Sequence, residues 1–213
     1  MIMGQGSVNY LCTDEGNERV TLLHQIGKKP IIAAVRVLTD LDRALASKTD
    51  NIFFMGGDIN SIIDAVKLTR QAGKGAFVHL DLIRGLSKTD KESIGFIAEY
   101  IGAQGIVTPK SHLIKDIKKA GLHGILHMFI LDSLSLENGL KIVESTQPNG
   151  IELMPGIMEK IIQLFAESFE HIPIIASGLI QTKEEAANGL RAGATSLSVS
   201  NPALWNMTFP DLI

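Results

Sequence analysis

The chain has 213 residues, 45% of them hydrophobic, and a formal net charge of −3, which suits one large domain with a sizeable core. No global basic field pulls on nucleic acid, so only a local patch would serve an RNA partner. Its one cysteine, Cys12, excludes an internal disulfide, and no apolar run approaches the roughly 20 residues of a membrane span. The first residues lack a basic region followed by an apolar one, so there is no signal peptide to read. A soluble, cytoplasmic protein that keeps its thiol reduced is expected.

Residues 1–29 show no clean period and form an N-terminal appendage, with a short helix from Val20 to Ile26 that exits at Gly27-Lys28-Lys29. This segment either covers one end of the domain or joins a subunit contact; the pattern leaves a homo-oligomer open. From Pro30 the chain becomes regular, and residues 30–213 form the main domain. Ile31 to Val35 is a buried-strand run, followed by helical spacing from Leu38 to Ser47. Asn51 to Met55 is the second strand, exiting at Gly56-Gly57-Asp58 into a helix that Gly73 closes. Ala76 to Leu80 is the third, exiting through Asp81-Leu82-Ile83-Arg84-Gly85 before a helix over 90–101. Gly105 to Val107 exits into Thr108-Pro109-Lys110-Ser111, where Ser111 is placed to cap a helix over 112–120.

Gly124 to Leu131 is the fifth strand, with Asp132-Ser133 opening a helix through Glu144. Gly150 to Leu153 is the sixth, leaving at Met154-Pro155-Gly156 for a helix over 157–169. Ile174 to Ala176 breaks at Ser177-Gly178; Thr182 and Glu185 then have capping-box spacing for a helix closed by Gly193. Thr195 to Val199 is the last strand, breaking at Ser200-Asn201. A short helix over 203–207 follows, with Trp205 packing back on the domain.

Strands alternating with helices predict an α/β fold with a parallel sheet. Eight such units predict a compact, single-domain (β/α)8 TIM-type barrel, shorter than the usual roughly 250 residues. An open doubly wound sheet would carry its glycine-rich turn after the first strand, where Ala34-Val35-Arg36 stands instead.

In a barrel the strand exits share one face, and the last two are the usual phosphate cradle. Ser177, Gly178, Ser200 and Asn201 are the phosphate candidates, because small residues let backbone N–H groups approach an anion and helix N-termini add positive potential. Arg36, Lys110 and Arg84 offer charge to a ligand or to solvent. Asp81 and Glu152 either accept hydrogen bonds from ligand hydroxyls or pair structurally with Arg36 or Lys110; in an enzyme they would be general base and acid. Asp58, Asp132 and Ser133 also suit helix capping. His79 and His127 sit among apolar neighbours inside strands and read as satisfied barrel histidines. No H-x-x-x-H, C-x-x-C or carboxylate–histidine spacing signals a metal, and neither G-x-S-x-G nor a Walker loop occurs.

The segments HLDLIRG at 79–85, FILDS at 129–133, ELMPG at 152–156 and IPIIASGLI at 172–180 recur in this order. With AGA at 192–194 and SNPALW at 200–205, they resemble the glycerol-3-phosphate-responsive antiterminator family over about residues 30–207. The resemblance implies a non-catalytic regulator that binds glycerol-3-phosphate as effector, with no cofactor, and contacts the leader mRNA of glycerol-catabolism operons. It implies ligand roles for Asp81, Glu152 and Gly178. Departures are Ser177-Gly178 where a double glycine is expected, His127-Met128 in place of Gln-Arg, and Thr108-Pro109-Lys110-Ser111 in place of a Thr-Arg-Ser run. Lys28, Lys29, Lys115, Lys118, Lys119 and Arg191 are the candidates for an RNA patch. The competing readings are a phosphosugar aldolase or isomerase using Asp81, Glu152 and Lys110, and a ligand-sensing barrel without RNA contact.

Overall fold

In the computed structural model, which describes residues 21–213, eight parallel strands close into one barrel in sequential order. The strands are β1 (Ile31–Val35), β2 (Asn51–Phe54), β3 (Gly75–His79), β4 (Gly105–Thr108), β5 (His123–Phe129), β6 (Gly150–Met154), β7 (Ile174–Ser177) and β8 (Ser196–Val199). The helices are α1 (Leu22–Ile26), α2 (Leu41–Ala46), α3 (Ile59–Gln71), α4 (Lys91–Phe96), α5 (Ile114–Lys119), α6 (Ser133–Thr146), α7 (Glu159–Ser168), α8 (Lys183–Arg191) and α9 (Phe209–Leu212). Closure comes from β8 pairing with β1, which sets Leu197 beside Ile31 and Val199 beside Ala33. This is the expected TIM-type barrel, and closure removes every sheet edge.

Strands buried on both faces must be apolar throughout, which is why these segments read as continuous runs and not as alternating patterns. Their outward residues, such as Ala33, Phe54, Val78 and Leu197, join the helices in one core. Their inward residues Ile32, Phe53, Phe77, Val107, Ile125 and Ile175 fill the lower half of the barrel. There, the Phe53 and Phe77 rings lie 5.2 Å apart in a tilted pair.

Helix α1 closes the bottom. Its two fully covered side chains, Leu22 and Ile26, complete that inner cluster, and the Asn51 amide at the start of β2 donates to the Gln25 carbonyl. The rest of the 1–29 segment, residues 1–20 with Cys12 among them, lies outside the described residues. Since Ile26 has no exposed surface, Ile26→Ala is expected to cost about 2–5 kcal/mol of stability through lost burial and a residual cavity. Urea unfolding checks this; an unchanged midpoint would show that α1 does not plug the barrel.

Several boundaries differ from the pattern reading, each for a local reason. β5 stops at Phe129, not Leu131, because the Leu131 and Asp132 N–H groups turn to the Ser135 hydroxyl at the start of α6. The expected helix over 90–101 is an α-turn segment that widens into a π-helix over Ile97–Ile101, ended by left-handed Gly102. Ser111 does not cap: it is the first residue of a short 3-10 turn, and α5 begins at Ile114 without a side-chain cap. The expected helix over 203–207 is a single 3-10 turn, Pro202–Leu204, with α9 following. Trp205 does pack back, 1% exposed, and its indole N–H donates to the Val199 carbonyl at 2.7 Å.

Candidate functional site

Along the barrel axis the interior changes from apolar to polar. Side chains two residues apart on a strand share a face, so His79 lies above Phe77, His127 above Ile125 and Ser177 above Ile175. On β6 the neighbours Ile151 and Leu153 face the helices, which turns Glu152 inward, beside its register partner His127. On β8 the outward placement of Leu197 turns Ser196 and Ser198 inward.

At the mouth these strands open into a cavity of about 400 Å³, within the range of small-ligand sites. Arg36, Ser177, Gly178, Gln181, Ser198 and Ser200 supply its polar lining, with Met55, Leu82, Met154 and Leu179 among its apolar walls. Arg36 follows the last residue of β1, is exposed, and forms no ion pair among the described residues. Gly56 lets the β2 exit pass beside it: a Cβ there would stand 2.4 Å from the Arg36 carbonyl oxygen. Gly178 takes φ +80°, a left-handed conformation, with Met154 where a side chain would go. Its carbonyl accepts from the Gly156 N–H at 3.0 Å, tying the β6 and β7 exits together. The N–H groups of Gly178, Leu179 and Ser200 donate to no backbone carbonyl among the described residues.

Helix N-termini contribute less than their sequence suggests. The Glu185 carboxylate accepts from the N–H groups of Gln181 and Thr182, which hold its pKa below the usual carboxylate range, and Thr182 accepts from the Glu185 N–H. The Glu185 N–H of α8 and the two N–H groups just before the helix are thus satisfied internally. Asn201 is used in the same way: its side chain accepts from the Ala203 N–H and donates to the Gln181 carbonyl. Asn201 therefore shapes the loop and does not line the cavity.

The other candidates divide. Glu152 lies beneath the cavity, with no exposed surface, next to Ser177. Burial raises its pKa, but His79, the 2.6 Å hydrogen bond to His127 and the nearby Ser177 hydroxyl outweigh that and hold it below the usual range. An ionised carboxylate only accepts, so His127 donates through Nδ1–H. Burial in turn lowers the pKa of His79, against the pull of Glu152. Asp81 accepts from the Thr108 hydroxyl at 2.8 Å and pairs with neither Arg36 nor Lys110. Lys110 is half-buried outside the cavity, its backbone N–H on the Thr108 hydroxyl.

Asp58 and Asp132 are helix caps, each in a reciprocal pair with a serine three residues on; Arg84 stands 3.4 Å from Asp58 on the surface. For Asp132 the partner is Ser135, not Ser133. Ser198 was not among the candidates although it lines the cavity; its signal was the alternation Ser196, Ser198, Ser200 along the last strand. Nor are both histidines satisfied: His79 Nε2 and Glu152 Oε1 are buried without hydrogen-bond partners among the described residues.

A family described as glycerol-3-phosphate responsive antiterminator matches residues 31–205. The uncharacterized protein YgcP of Escherichia coli, strain K12, is 36% identical over 186 residues, which span 87% of this chain and 96% of that protein. A crystal structure of a glycerol uptake operon antiterminator regulatory protein from Listeria monocytogenes is 30% identical, with a TM-score of 0.78 over 82% of this chain and 94% of its own. A glycerol uptake operon antiterminator-related protein from Thermotoga maritima is also 30% identical, with a TM-score of 0.74 over 84% and 99%. A deoxyribose phosphate aldolase from Aeropyrum pernix, 12% identical with a TM-score of 0.65 over 86% and 89%, shares the fold alone.

Proposed function

The chain belongs to the glycerol-3-phosphate responsive antiterminator family, and from that membership we propose that it binds glycerol-3-phosphate at the barrel mouth and uses it to control contact with leader mRNA of glycerol-catabolism operons. The observation that carries the ligand half is the unpaired Arg36 facing Ser177, Gly178, Ser198 and Ser200 around one cavity. A guanidinium and hydroxyl or N–H donors match a phosphate dianion, and Ser177 in the lining lies beside the buried Glu152. The ligand role that the family resemblance implies for Asp81 and Glu152 is part of this proposal, with Glu152 acting through Ser177. Lys110 stands outside the cavity, which supports a regulator over a Schiff-base enzyme.

For the RNA half, the support is a local patch on a chain of net negative charge. Lys115, Lys118 and Lys119 on α5, with His112 before it, border a surface groove with Ser145 and Thr146. Lys118 donates to the Gln147 carbonyl and Lys119 lies 3.5 Å from Asp116, so Lys115 is the least engaged.

Ligand binding couples to folding by mass action. At a hundredfold excess over Kd the gain is about 2.7 kcal/mol, a rise in Tm of about 5–10 °C for a chain of this size. Glycerol-3-phosphate should produce that rise, and glycerol should not. A chain that responds to other phosphates but not to glycerol-3-phosphate sinks the ligand assignment. Leader RNA titrated with and without the effector tests the other half: affinity should change with effector and fall as salt rises, with a slope of about −0.7 per phosphate contacted. Reversing the charge of Lys115, Lys118 and Lys119 together should abolish RNA binding and leave the Tm response intact. No helix among the described residues is long and apolar enough to cross a membrane.

A further inference from the structure

β3, β5 and β6 each turn one side chain into the upper barrel at almost the same level: His79, His127 and Glu152. His79 Nε2 stands 3.4 Å and His127 Nδ1 2.6 Å from Glu152 Oε2, and one donor atom from each residue lies within 4.8 Å of the other two. All three side chains are at least nine-tenths buried. Buried polar atoms ordinarily find partners, because an unpaired one costs its full desolvation. Here His79 Nε2 and Glu152 Oε1 find none among the described residues. A hydrogen-bonded core cluster would satisfy both; here His79 Nε2 makes only the 3.4 Å approach to Glu152 Oε2, and Glu152 Oε1 has no hydrogen bond within the geometric limits, although the Ser177 hydroxyl is near the carboxylate.

Two imidazoles and a carboxylate are a donor set for first-row transition ions such as zinc, and not for magnesium or calcium, which take mainly oxygen. Metal–ligand bonds of about 2.0–2.2 Å place the ligand atoms about 3.0–3.5 Å apart. The His79–Glu152 separation of 3.4 Å already fits; the His127–Glu152 pair, at 2.6 Å, must open slightly as the His127 proton moves to Nε2, and the donor atoms all lie within 4.8 Å of one another.

We propose that His79, His127 and Glu152 bind a divalent transition-metal ion, zinc in the first instance, in the floor of the mouth cavity. Three protein ligands leave at least one coordination position for a water or for an oxygen of a bound ligand. Ser177 sits beside Glu152 and also lines the cavity, so it links this floor to the anion cradle above. The site requires no particular effector and stands whether or not glycerol-3-phosphate binds.

The test uses the full chain with Cys12→Ser to remove thiol binding, stripped with a chelator and titrated calorimetrically with zinc chloride. One equivalent of zinc per chain should bind, with the His127 proton carried on Nε2 so that Nδ1 faces the ion. Magnesium chloride should give no heat. His127→Gln and Glu152→Gln, which keep the shape, should lower zinc affinity by about tenfold or more. His171→Gln, a surface change, should leave it unchanged. No stoichiometric zinc, or full affinity in both variants, overturns the proposal. If the variants do not fold, cobalt(II) on the otherwise unaltered chain decides: a visible d–d band displaced by zinc supports the site, and the absence of such a band overturns it.

Discussion

Arg36→Ala is expected to weaken glycerol-3-phosphate binding by about 10- to 150-fold, the largest loss of any single change at the mouth. Hydrogen bonds to charged groups contribute about 1.5–3 kcal/mol, and Arg36 is the one cation in the cavity lining. Neutral donors are worth less, so Ser177→Ala or Ser200→Ala should each cost roughly 0.5–1.5 kcal/mol of binding. Arg36→Lys keeps the charge and loses the two-pronged fork, so its affinity should fall between the two. Since Arg36 is exposed and makes no ion pair among the described residues, the Tm of the unliganded variant should match that of the parent chain. Isothermal titration of the effector is the measurement. An Arg36→Ala variant with the parent Kd would place the phosphate elsewhere.

Trp205→Ala should have the largest effect on stability, about 3–5 kcal/mol, by truncating the largest fully buried side chain of the fold. The residue lies just past β8, the strand that must return to β1 for the barrel to close. Two further contacts tie the same segment down: the Lys48 N–H donates to Asn206 at 3.0 Å, and Leu212 of α9 is buried. Trp205→Phe separates the contributions. It keeps most of the packing but leaves the Val199 carbonyl without its 2.7 Å donor, so a smaller loss of about 1–3 kcal/mol is expected. Denaturant unfolding distinguishes the two variants, and equal losses would mean that the hydrogen bond, not the packing, holds the segment.

The strand order was legible because each strand is buried on both faces and so reads as an unbroken apolar run between small or polar exits. Ile31–Val35 and Ile174–Ser177 show this plainly. Helix ends were legible where the cap is local, as in the Thr182–Glu185 and Asp58–Ser61 boxes. Less legible was a side chain with a choice of partner: Asn201, a phosphate candidate, accepts from the Ala203 N–H and donates to the Gln181 carbonyl. The length of β5 was misread because Ser135, beyond the strand, claims two of the N–H groups at its end.

By itself, then, the sequence determined the eight-strand barrel and the cluster of Arg36, Ser177, Gly178 and Ser200 at its mouth. Hydrophobic periodicity and strand-end position are local properties that a linear chain displays. Only the tertiary structure decided that Glu152 pairs with histidines and not with Arg36, and that His79 and Glu152 each keep a buried atom without a hydrogen-bond partner among the described residues. Those residues lie on β3, β5 and β6, tens of positions apart, and no spacing along the chain encodes the distance across a closed barrel.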